Sequence, residues 1–100
     1  MIFAEVIGTI VTPVQHPSLD GKRILYLRLL DPTGKPTGKA INAIDGCGAG
    51  YGDRVIVIEE GNAGRQLTGI KNAPIKSVVV GVVDFIEGAH GELLYSEATS

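Results

Sequence analysis

Glycine stands at every second position of GCGAGYGD, residues 46–53. Two kinds of chemistry use such a loop. A dinucleotide site needs G-x-G-x-x-G at the opening of a helix. Counted from Gly46 the third glycine falls on Tyr51, and counted from Gly48 it falls on Asp53, so neither frame fits. A phosphate loop needs Gly-Lys followed by Ser or Thr. The three Gly-Lys pairs, at 21–22, 34–35 and 38–39, run into Arg23, Pro36 and Ala40. The apolar run RVIVIE at 54–59 follows the loop directly and reads as a strand, so no helix N-terminus is at hand to receive an anion. The glycines are read as conformational, permitting positive φ and tight packing, with Asp45 placed to cap a single turn.

Other reactive residue types give no constellation. Cys47 lies between glycines beside Asp45, whereas a reactive thiol needs a basic neighbour or a helix N-terminus; it is read as packed and inert. His16 and His90 are far apart and match no zinc spacing. The serines lie outside any G-x-S-x-G elbow. Glu59 and Glu60 are adjacent at a strand end, so they point to opposite faces and make no acid/base couple. Tyr26 and Arg28 share a strand face, the one pair that fits base stacking on a basic groove. The expectation is a protein with no catalytic residues, no cofactor and no metal.

Composition narrows the class further. One hundred residues make a single small domain. Hydrophobic residues are 44% of the chain and 14 glycines come on top, more than the about 45–50% that apolar residues and glycine usually reach together. The excess points to surface buried by other subunits. A net charge of −2 supplies no surplus of Lys and Arg for counterion release from nucleic acid. One cysteine allows no internal disulfide. The N-terminus MIFAEVIGTIV lacks a basic region and carries Glu5, a poor signal peptide. No apolar run approaches the ~18 residues of a membrane span. These features lead to an expected cytoplasmic location, with no membrane and no nucleic-acid partner.

The elements that position these residues are strands. Residues 2–12 predict the first, with Ile2, Ala4, Val6, Gly8 and Ile10 on one face. Residues 22–30 predict the second, with Leu25, Leu27 and Leu29 opposed to Ile24, Tyr26 and Arg28. DPTGKPTG at 31–38 predicts a turn, and 39–45 a shorter third strand. Residues 54–59 are the fourth. A stretch without periodicity holds a short helical turn near 72–77, then 77–87 is the fifth strand, and HGELLYS forms a tail strand. Strand four is apolar on both faces, Val55 and Val57 against Ile56 and Ile58. No amphipathic helix is present to cover the second face, so a neighbouring chain or a loop must. VIGTIV and VVGVVD each carry a mid-strand glycine, which marks a bulge or bend. The fold class expected is all-β: a small five-stranded OB-like closed barrel with a helical turn before the last strand and a tail strand. SH3-like and cochaperonin-like barrels stay open as alternatives.

Four segments, in order, resemble the pentameric vertex proteins of bacterial microcompartment shells, the family that includes carboxysome and ethanolamine-utilisation vertex proteins. They are VIGTIVTPVQHPSLDGKRILYLRLLDPTGKPTG, AIDGCGAGYGDRVIV, EEGNAGR and APIKSVVVGVVDFIE. The loop Gly61-Asn62-Ala63-Gly64-Arg65 departs from the family's usual Gly-Ser-Ser-Ala-Arg, and Pro74-Ile75-Lys76 from its Pro-Val-Asp. The resemblance implies a single OB-like vertex domain over 1–100, a structural role without catalysis, a homo-oligomeric ring of five, hexameric shell proteins as partners, and a place in the shell. It singles out Asp45, Gly48, Gly50, Gly52, Asp53 and Arg65 as motif residues, and Ile24, Tyr26, Ile56 and Ile58 as candidate contacts between subunits. The alternative kept beside it is an OB-fold module binding single-stranded nucleic acid or a protein strand.

Overall fold

The computed structural model describes residues 1–11, 21–59 and 77–97. The described residues form seven strands: β1 (Ile2–Thr9), β2 (Ile24–Leu30), β3 (Pro36–Asp45), β4 (Arg54–Glu59), β5 (Ser77–Val82), β6 (Phe85–Glu87) and β7 (Leu93–Ser96). The first five close a barrel in the order β1-β2-β3-β5-β4, and β4 returns to β1. All pairings are antiparallel except β3 with β5, which is parallel through Ile44↔Val78 and Asp45↔Val79. The helical turn expected near 72–77 starts in residues outside those described.

Period-two patterning decides what fills the barrel. Ala4, Val6, Leu25, Leu27, Ala43, Ala49, Val55, Val57 and Val79 form the buried interior, with Ile2, Leu29 and Ile41 packed against it. Each fully buried Val or Leu contributes about 1.5–3 kcal/mol relative to exposure. The two mid-strand glycines adjoin irregularities. The β1–β2 register shifts between Val6 and Gly8, and the β4–β5 register shifts where Gly81 meets Ile56. Such bulges add the local bend and twist that a small barrel needs in order to close.

Three boundaries differ from the sequence reading. β1 ends at Thr9 rather than at 12. β3 is longer than expected and starts at Pro36, a position where proline is tolerated because the first strand residue need not donate to the ladder. The turn before it is correspondingly tight. Asp31 Oδ1 accepts from Thr33 N at 2.8 Å, Thr33 Oγ1 at 2.6 Å and Lys35 N at 3.1 Å, which holds the Asp31 carboxyl below its ordinary pKa. The run 77–87 is two strands, not one. β5 leaves the barrel after Val82, and β6 pairs with β7 in a separate two-stranded sheet through Ile86↔Tyr95 and Glu87↔Leu93.

That hairpin covers part of the barrel's outside. Phe3, Leu30 and Tyr95 form a second buried cluster, joined by Ile56, Val83 and Ile86. The rings of Phe3 and Tyr95 meet edge to face at 5.2 Å and 66°. The second apolar face of β4, at Ile56, is therefore sheltered by the chain's own C-terminal hairpin.

Candidate functional site

The glycine loop does hold an anion, and the anion is the side chain of Asp45. Its Oδ1 accepts hydrogen bonds from the backbone N–H groups of Cys47 at 3.2 Å, Gly48 at 2.9 Å and Ala49 at 3.1 Å. Converging N–H groups of this kind form an anion-binding concavity. With a carboxylate already seated there, no phosphate is needed to satisfy them. Arg23 closes the arrangement, with Nη1 at 3.3 Å from Asp45 Oδ2 and donating to Ala49 O at 2.8 Å.

The rest of the loop is built for close approach. Gly46 N donates to Val79 O at 2.9 Å, and a Cβ on Gly46 would stand 2.6 Å from that same oxygen. Gly48 and Gly52 have φ of 80° and 87°, a region L side chains avoid. Gly50 N donates to Asp53 Oδ2 at 2.8 Å, and Asp53 N returns a bond to Gly50 O at 3.0 Å. Gly52 N donates to Val6 O and Val6 N to Asp53 O, both at 2.9 Å, so the loop extends the β1–β4 pairing.

Cys47 is exposed. Partial burial of the thiol and the Asp45 charge push its pKa up, away from the thiolate that reactivity requires. His90 N donates to Glu92 Oε2 at 3.0 Å in the β6–β7 turn. His16, Glu60 and Arg65 lie outside the described residues.

The expected contact residues fall into three environments. Ile24 is buried within its own chain and runs in register through Ile44 and Val78 to half-buried Ile58. Ile24 is thus a packing residue of the single chain and presents no free surface. Ile56 lies against the Phe3, Leu30 and Tyr95 cluster. Tyr26 alone among them stands out, 42% exposed on the outer face of β2.

One cluster was not singled out from the sequence. Glu5 is buried on the outer side of β1, in register with Arg28 of β2 on one side and Arg54 of β4 on the other. Arg28 Nε and Nη2 each lie 2.6 Å from Oε1, and Arg54 Nη1 lies 3.3 Å from Oε2. Arg54 also has its guanidinium 5.9 Å from the centre of the Tyr95 ring, within cation–π range. The available signal was a single charged residue in the otherwise apolar run IFAEVIG. Arg28, the partner of Tyr26 in the base-stacking reading, is committed to Glu5.

Comparison with known proteins agrees with this architecture. The family model described as ethanolamine utilisation protein EutN/carboxysome matches residues 1–84. The chain is 36% identical over 86 residues to the carboxysome shell vertex protein CcmL of Gloeobacter violaceus, covering 86% of this chain and 85% of that protein. The solved structure of the Gloeobacter violaceus CcmL superposes with a TM-score of 0.85 at 35% identity, over 98% of this chain and 99% of that one. This chain is 37% identical over 84 residues to the bacterial microcompartment shell vertex protein EutN of Escherichia coli strain K12, covering 84% of this chain and 87% of that protein. The solved GrpN pentameric microcompartment shell protein from Rhodospirillum rubrum superposes with a TM-score of 0.77 at 35% identity, over 89% of this chain and 100% of that one. On the match over residues 1–84 and these identities, the chain belongs to the EutN/carboxysome family.

Proposed function

We propose that this chain is a structural shell protein of a bacterial microcompartment: a cyclic ring of five copies that occupies the five-fold vertices of the shell. The reading rests above all on the match to CcmL over 98% of the chain, together with the pentameric relative GrpN. The whole chain acts as one OB-like vertex domain. Its partners are further copies of itself and the hexameric proteins that tile the flat facets.

The mechanism is geometric. A sheet of hexagons is flat and closes only where pentagons replace some of them. A rigid five-fold ring supplies that curvature, and its rim meets the edges of neighbouring tiles. Cyclic symmetry requires a head-to-tail contact that closes on itself. The barrel suits the task, because a sheet closed on itself leaves few open edges to pair out of place. The backbone donors of the glycine loop are held by Asp45, which supports a structural part for the motif rather than a catalytic one.

Native mass spectrometry gives the first measurement, with a mass of five 10.5 kDa chains expected. Co-production with a hexameric tile, followed by electron microscopy, gives the second. Closed particles are expected with this chain present, and open sheets or tubes without it. A single-chain mass at micromolar concentration, with no effect on shell closure, would falsify the reading.

A further inference from the structure

The chain presents two exposed surfaces of opposite chemistry. The first is the outward face of the β6–β7 hairpin. Ile86 and Tyr95 pair and turn toward the barrel. Phe85 and Glu87 alternate with Ile86 and are exposed, the register shifts so that Glu87 pairs with Leu93, and Phe85 and Leu93 are each 57% exposed. Residues 84–97 carry four acidic residues, Asp84, Glu87, Glu92 and Glu97, and no Lys or Arg.

The second surface is the outward face of β2 and β3. Tyr26 pairs with Asn42, and half-exposed Arg28 is the next outward residue along β2. Residues 21–45 carry five basic residues against two acidic ones. A chain whose net charge is only −2 is thus polarised, with an acidic hairpin and a basic strand pair.

We propose that the hairpin face of Phe85, Glu87 and Leu93 docks on the Tyr26, Arg28 and Asn42 face of the next copy of this chain in the ring. The inference rests on the ring reading above and adds the surfaces that make it. A second copy is the occupant because, among the described residues, each chain offers one surface of each kind. A head-to-tail contact uses one of each and leaves neither over when the ring closes. A two-fold contact through the hairpin would set acid against acid. Arg28 is paired with Glu5, but with Arg54 the cluster keeps a surplus of one positive charge, which suits Glu87, and the apolar side chains supply the burial.

Two variants and a cross-link test the contact. Phe85→Ser with Leu93→Ser removes the apolar side chains from an exposed face. Asn42→Glu puts an acid on the basic face, and Glu87→Lys in the same chain restores opposite charge. Ring mass is followed by native mass spectrometry on dilution, with circular dichroism reporting the barrel. The expected result is ring dissociation at tenfold or more higher protein concentration for the serine pair. Asn42→Glu is expected to dissociate more readily than wild type, and the addition of Glu87→Lys to recover most of the loss. Benzoylphenylalanine at position 85 should cross-link, between isotopically light and heavy chains, to the peptide holding Tyr26 or Asn42. Rings that dilute like wild type in both the serine pair and Asn42→Glu overturn the contact, and so do cross-links confined to another face; the vertex function then stands. A wild-type chain that never forms a ring overturns both.

Discussion

Arg28 grips Glu5 with both Nε and Nη2, each 2.6 Å from the same carboxylate oxygen. The acid is nearly buried, with 11% of its side chain exposed, while Arg28 keeps 46% in water and Arg54 on the other flank keeps 23%. This charged rung crosses three strands, β2, β1 and β4, on the outside of the barrel. Removing one member of a fully buried pair costs about 3–5 kcal/mol, and exposed pairs are worth about 1 kcal/mol or less.

Glu5→Gln is therefore expected to cost an intermediate amount, about 2 kcal/mol. The cost falls mainly on Arg54, whose buried Nε already lacks a hydrogen-bond partner among the described residues. Urea unfolding is done at one fixed protein concentration, because the proposed ring would make stability depend on concentration. A change within 0.5 kcal/mol of wild type, the range of neutral surface substitutions, would show that the rung contributes nothing.

Gly46 and Gly50 are expected to respond differently to alanine. At Gly46 a Cβ meets the backbone oxygen of Val79 at 2.6 Å, while at Gly50 the nearest atom is Asp53 Oδ2 at an ordinary 3.8 Å. Gly46→Ala should break the Gly46–Val79 hydrogen bond and the parallel β3–β5 seam beside it, at about 2 kcal/mol or more. Gly50→Ala should leave the melting temperature within a few degrees of wild type. Thermal melts of the two variants side by side decide the matter, and equal melting temperatures count against it.

Tyr95→Ala should free the C-terminal hairpin from the barrel. The ring meets Phe3 edge to face, faces Arg54 and lies over Gly34, where even a Cβ would come within 2.7 Å. Loss of a buried aromatic costs about 3–5 kcal/mol. Much of it should appear locally, as faster amide exchange across Phe85–Ser96 with β1–β4 still protected. Uniform loss of protection would mean that the hairpin and barrel unfold as one unit.

Cys47 should alkylate slowly despite its exposure, because the folded chain holds its thiol pKa above the ordinary value of 9.0. The folded state keeps the proton where the unfolded chain would release it. Stability from this group is thus complete below the unfolded pKa and declines as pH rises past it. Iodoacetamide modification followed by mass spectrometry is expected to run slower for the native chain than for the chain in urea at pH 8. A faster native rate would contradict it.

Local patterning was enough for much of the barrel. RVIVIE was read as a strand over 54–59 and is one, because β-branched residues alternate there without interruption. Leu25 and Leu27 were set against Tyr26 and Arg28, and the structure buries the first pair and exposes the second. The glycine loop was read as conformational with Asp45 as its cap, and its donors do converge on that carboxylate. Each of these needs only neighbours in sequence: side-chain alternation, steric permission at glycine, and the short reach of an aspartate.

What depends on distant residues was decided by the tertiary structure alone. The run 77–87 has a strand pattern throughout, and nothing in it says that β5 leaves the barrel at Val83. The pairing with β4 runs on to the Val83 N to Arg54 O bond, and beyond it β7 offers β6 a different partner. Glu5 looked like an isolated charge until two registers set Arg28 and Arg54 beside it. Ile24 looked like a contact for another subunit, and the fold buries it in register with Ile44. A strand's faces follow from its own alternation, but what lies against each face is set by which strands pair and in what register, and that is settled only when the whole barrel closes.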